Sequence, residues 1–122
     1  MRTPGALLDL AYEGLSEASA ETRPGQRYAL AHLAALRAAA AVLSCRTHSS
    51  RTRPTSAWVL LSRVAPELTE WAQFFAAGAD KRAAAEAGFA GVVTPREADD
   101  LLRDAQSFVQ VVETTLLLSR TG

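Results

Sequence analysis

Apolar residues recur at helical spacing along most of this chain and almost nowhere alternate with polar ones in the two-residue rhythm of a strand. Over residues 5–20, Leu8, Ala11, Tyr12 and Leu15 fall on one face, while Asp9, Glu13 and Glu17 form a solvated stripe. A turn is expected at Thr22-Arg23-Pro24-Gly25. The next segment, 26–45, is apolar on nearly all sides. Tyr28, His32, Ala35, Leu36, Ala39 and Leu43 share one face, Leu30 and Leu33 lie on another, and Ala31, Ala34, Ala38 and Ala41 make a small-residue stripe. A helix clothed in this way belongs at the centre of a bundle, with the alanines admitting a neighbouring backbone.

Residues 46–55 carry no apolar periodicity and read as an exposed, basic loop. Ser56 is placed to cap a third helix over 57–64. Pro66 interrupts it, because proline lacks the N–H that a helix interior needs but is tolerated in a first turn, so a new or kinked helix starts there. Leu68, Trp71, Phe75 and Gly78 or Ala79 mark the buried side of that helix, and Gly88 is the expected residue just past its end. Thr94-Pro95-Arg96-Glu97 has the composition of a capping box with proline in the first helical position. Leu101, Ala105, Phe108, Val109, Val112 and Leu116 then lie along one face of a last helix. Val92-Val93-Thr94 is too short to count as a strand. The pattern predicts an all-α fold: an antiparallel up-and-down four-helix bundle with one helix broken near Pro66. No linker or repeat divides it, so residues 1–122 are read as one domain.

Composition agrees with this reading. About one residue in five is alanine, the strongest helix former. The single cysteine, Cys45, excludes an internal disulfide and reads as a small core residue. The amino terminus lacks the apolar region of a leader, and no apolar stretch approaches the roughly 18 residues of a membrane span. A cytoplasmic protein without a membrane partner is expected. The formal net charge is zero, yet it is segregated. Seven arginines and no carboxylate lie between Glu21 and Glu67, while the flanking segments are acidic. That cationic block admits three readings: pairing with the acidic helices around it, an anion-binding face, or association of copies basic face to acidic face. On the second reading the contacts come from Arg46, Arg51 and Arg53 with His48 between them, since the planar guanidinium fork suits phosphate.

Little else resembles a chemical constellation. Two histidines, His32 and His48, lack further ligands at metal-binding spacing, so no metal and no cofactor is expected. Ser44-Cys45 has no evident base, and Glu97, Asp99, Asp100 and Asp104 suit a dipole-favoured helix start. Trp58 and Trp71 read as core anchors. The exposed pair Leu117 and Leu118 is a candidate dimer seam.

Three passages carry a resemblance: residues 27–41 (RYALAHLAALRAAAA), Ser56-Ala57-Trp58 with the 65–68 and 71–75 stretches after it, and residues 96–102 (READDLL). Together, over about residues 7–117, they look like a short actinobacterial branch of the HEPN superfamily (higher eukaryotes and prokaryotes nucleotide-binding). The resemblance implies an all-helical bundle, usually a homodimer. It implies either a metal-independent ribonuclease of toxin type or an inactive module that binds RNA, nucleotide or a partner protein. Active members carry an arginine, four to six residues, then histidine, commonly toward the C-terminal part of the bundle. Here no histidine comes after His48, so the last helix, with Arg103 and Arg120, does not supply that motif. The only formal match is Arg27 with His32, whose side chains point about 140° apart on a helix. The resulting expectation is a non-catalytic module that binds a phosphate-rich ligand through Arg46, His48, Arg51 and Arg53. The alternative is an endoribonuclease in which Arg27 stabilises phosphate and His32 serves as general acid or base.

Overall fold

Local signals set the helix ends. A computed structural model describes residues 2–46 and 56–121. Among these are six α-helices, α1 (Pro4–Ala20), α2 (Pro24–Arg46), α3 (Ala57–Val64), α4 (Thr69–Ala77), α5 (Ala79–Glu86) and α6 (Pro95–Thr121), with a 3-10 turn at Pro66–Leu68 and no strand. The Thr3 hydroxyl accepts the Ala6 N–H at 3.0 Å and starts α1. Pro24 opens α2 inside the stretch expected to be only a turn. The capping box forms as read: the Thr94 hydroxyl accepts the Glu97 N–H at 3.1 Å and the Glu97 carboxylate accepts the Thr94 N–H at 2.9 Å. At the end of α5, Gly88 adopts φ +87°, which lets the Phe89 N–H reach back to the Ala84 carbonyl and the Gly88 N–H to that of Ala85. That pair of bonds is a Schellman closure.

The all-α expectation holds, but the helix count differs. Three long helices, α1, α2 and α6, are joined by a segment that breaks twice, at Pro66 as anticipated and again at Gly78. At the second break the joint packs closely on α2: a Cβ built on Gly78 would lie 2.7 Å from the Tyr28 hydroxyl and 3.5 Å from His32 Cδ2, so a larger residue there would require the Tyr28 side chain to shift.

Helix α2 runs through the middle, packed against α1, α3, α5 and α6. Ala31, Ala34, Ala35, Ala38, Ala39 and Ala41 are wholly buried, whereas Leu36 and Leu43, expected on the core face, are half-buried. Small side chains draw the neighbouring helices in, and the leucines close the seams beside them. At the α1 crossing a Cβ on Gly14 would stand 3.2 Å from the Ala34 Cβ. On the other side the core is aromatic. Phe75 lies within 5.0–6.2 Å, ring centre to ring centre, of Phe74, Trp58, Phe108, His32 and Trp71. Burying a phenylalanine stabilises a fold by about 1.5–3 kcal/mol, and favourable ring pairs add to that. Cys45, expected in the core, is instead exposed, at the rim of a cleft that α1 and α6 also line.

By length and composition α2 could cross a membrane, with a window of mean hydropathy 1.5, contrary to the expectation that no stretch would. A window average tolerates the occasional polar residue that interrupts an apolar run. Of that window 56% is buried inside the fold, and burial among four helices accounts for its apolar character.

Candidate functional site

The cationic block is partly neutralised by its acidic surroundings. Arg23 makes a two-pronged contact with the Glu21 carboxylate at 3.0 Å, and that bond holds the Glu21 carboxyl down to about 2. Arg27 is more deeply engaged. Its Nε donates to the carbonyls of Ala18 (3.1 Å) and Glu21 (2.9 Å), and a terminal nitrogen donates to that of Ser19 (3.3 Å). Its other terminal nitrogen pairs with Asp99 of α6. Arg27 therefore closes the C-terminal end of α1, where carbonyls lack helical partners and a positive charge is favoured.

Arg46 ends α2 in a similar fashion. It donates to the Val64 carbonyl at 3.3 Å and to the Glu67 carboxylate at 2.7 Å, which fastens the end of α2 to the end of α3. The Arg46 hydrogen bond holds the Glu67 carboxyl below its usual range. Arg63, one residue before Val64, is exposed and takes part in no ion pair among the described residues. His48, Arg51 and Arg53 lie outside the described residues.

His32 does not join Arg27. Only 1% exposed, it sits among the rings of Tyr28, Trp58 and Phe75. Its Nε2 is 2.8 Å from the Phe75 carbonyl oxygen. A carbonyl only accepts, so Nε2 carries the hydrogen and the neutral ring leaves a lone pair on Nδ1. That Nδ1 has no hydrogen-bond partner among the described residues. Burial pushes the imidazole below its ordinary value, the Phe75 bond opposes this, and Arg82 and Glu86 on α5 act in opposite senses. The two residues of the formal motif thus hold different parts of the fold: Arg27 the α1 end, His32 the joint between α2 and α4.

Elsewhere, the Tyr12 hydroxyl donates to Glu113 and ties α1 to α6, and burial with that bond pushes the phenol up to about 12. Lys81 of α5 pairs with Glu97, so one carboxylate both caps α6 and holds the preceding helix. Among the described residues no three His, Cys, Asp or Glu side chains converge to hold a metal ion.

A long alanine-faced helix enclosed by two long helices and a broken third segment, with no catalytic pair assembled among the described residues, defines an all-helical bundle module. The chain matches the SAV_6107-like HEPN family over residues 18–113, and it belongs to that family. Searches of curated proteins and of solved structures each found no match.

Proposed function

We propose that this HEPN chain is a non-catalytic module that binds a phosphate-rich ligand, RNA or nucleotide, at the end of the bundle where α2 and α3 meet. The observation that carries the reading is the stretch of residues 22–66, which holds seven arginines and no carboxylate. Arg46 fastens the end of α2 to the Val64 carbonyl, one residue after Arg63, and the sequence between α2 and α3 adds His48, Arg51 and Arg53. Guanidinium groups bind phosphate bidentately and keep their charge at any working pH. A ribonuclease reading would require Arg27 to release three carbonyls and Asp99, and His32 to leave its ring enclosure, before either met a substrate.

The test is fluorescence anisotropy with a labelled single-stranded oligoribonucleotide, at 50 and 200 mM salt. Three phosphate contacts give a slope near −0.7 per contact, so a fourfold rise in salt weakens binding about 20-fold. The variant Arg46→Glu, Arg51→Glu, Arg53→Glu is expected to lose binding and its salt dependence. A wild type that does not bind, or a charge-reversed variant that binds equally well, would overturn the reading.

A further inference from the structure

The opposite charge gathers in the second half of the chain. Residues 67–122 carry nine carboxylates against five basic side chains. Most of those on the helices are neutralised locally: Glu67 by Arg46, Glu97 by Lys81, Asp99 by Arg27, Asp100 by Arg96 and Arg103, and Glu86 by Arg82. Glu113 accepts the Tyr12 hydroxyl. Asp80, Glu70 and Asp104 take part in no ion pair among the described residues. Of these, Glu70 and Asp104 line one cleft of about 300 Å³ between α4 and α6, and the other two side chains that line it are Trp71 and Phe74.

Those rings are held in place from behind. Trp71 packs on Phe75 at 6.2 Å and on Phe108 at 5.5 Å, and Phe74 meets Phe75 edge-on at 5.0 Å. Phe75 and Phe108 are wholly buried, so the two cleft rings rest on a packed backing. Phe74 nevertheless keeps 45% of its surface in water. An aromatic wall flanked by two carboxylates without ion pairs selects for one kind of group: a cation whose body is flat or apolar. Ring faces attract it through their quadrupole, and the carboxylates supply charge and acceptors. An anion would be repelled by both acids, and a neutral apolar group would leave both without a partner.

We infer that the cleft formed by Glu70, Trp71, Phe74 and Asp104 is a docking site for a basic side chain, arginine above all, presented by a partner protein segment. Guanidinium fits better than ammonium, since its plane stacks on a ring while its edge donates to carboxylate. The site is independent of the phosphate reading, because it lies on other helices and favours the opposite charge.

The chain holds two tryptophans, and only one lines the cleft. Indole N–H resonances in a two-dimensional NMR titration therefore give a site signal and an internal reference. The probe is a short arginine-containing peptide amide, compared with the same peptide carrying citrulline, a neutral isostere, and with a lysine version. The Trp71 resonance is expected to shift saturably with the arginine peptide, while Trp58, buried among rings, stays in place. Affinity is expected to fall at least tenfold with citrulline, and by a smaller factor with lysine. Glu70→Gln with Asp104→Asn, at positions bearing no ion pair to lose, is expected to fold normally and to weaken arginine binding by a similar tenfold. Equal shifts with arginine and citrulline, or undiminished binding to the double variant, would overturn the inference. Concentration-dependent association of the wild type that disappears in the double variant would give the cleft to a second copy instead, and would also overturn it.

Discussion

Mild acid should loosen this fold through one side chain. His32 is 1% exposed and already gives its Nε2 hydrogen to the Phe75 carbonyl. A second proton would land on Nδ1, which faces no acceptor among the described residues. The folded protein therefore keeps the ring neutral, and its pKa lies below the ordinary value of 6.5, with burial the main cause. The unfolded chain takes up that proton as pH falls through 6.5, while the native state does not. Stability from His32 is thus full above pH 6.5 and declines as pH drops toward the native-state value. The slope is at most about 1.4 kcal/mol per pH unit, so descending from 6.5 to 5.0 removes up to about 2 kcal/mol. Carboxylates held low, such as Glu67 and Glu97, lose their contribution mainly as pH falls through the unfolded value of 4.5, so their small share near pH 5 is common to wild type and variant and cancels in the comparison. The assay is urea unfolding at constant ionic strength at pH 7.5, 6.5, 5.8 and 5.0. His32→Leu is the control, for the Phe75 carbonyl keeps its bond from the Gly78 N–H at 3.0 Å. His48 is present in both proteins, so the difference between them isolates His32. A wild type whose stability is flat from pH 7.5 to 5.0, or a variant with the same slope, would refute the reasoning.

Two substitutions probe the joints. Gly78→Ala should destabilise, although alanine is favoured over glycine in a helix by about 1 kcal/mol, because the new Cβ would lie 2.7 Å from the Tyr28 hydroxyl. Adding Tyr28→Phe removes the obstructing oxygen, and a double-mutant cycle in urea should show the second change recovering most of the loss. Arg27→Ala should cost about 1.5–3 kcal/mol in the same assay, the range for hydrogen bonds to a charged group, as the α1 carbonyls lose their donor. Asp99→Asn should cost less, since Asp99 is more than half exposed and exposed ion pairs contribute about 0–1 kcal/mol.

Features set by near neighbours in the chain were legible beforehand. The capping box at Thr94 and Glu97 and the break at Pro66 arise from backbone chemistry within a few residues, and both stand where the pattern put them. The close packing at the Gly78 break was not legible, because a glycine within a helical pattern gives no sign of whether a distant hydroxyl lies against it. Helical periodicity identified α2 as the central element but ranked its faces by side-chain size. It gave Leu36 and Leu43 a depth that the alanines hold, since closeness of approach, not hydrophobicity, decides which face lies deepest. Arg27 could be seen as a cation and not as the clasp of α1, for its partner Asp99 lies far away in sequence. Of the four residues chosen for phosphate, only Arg46 falls within the described residues, and its Glu67 contact is tertiary too.

The alanine face of α2 has a bearing on how the protein tolerates change. Alanine has no rotamer to lose on folding, so that surface is ordered at no side-chain entropic cost. It equally has no rotamer to offer when a neighbour grows. At the Gly14–Ala34 crossing, added bulk has nowhere to turn, and the two rods must slide or part as whole bodies. The ring-lined flank can answer a small insult by tilting a side chain. Sequence drift in this lineage should therefore be steered toward the aromatic flank, with the seam between α1 and α2 kept narrow.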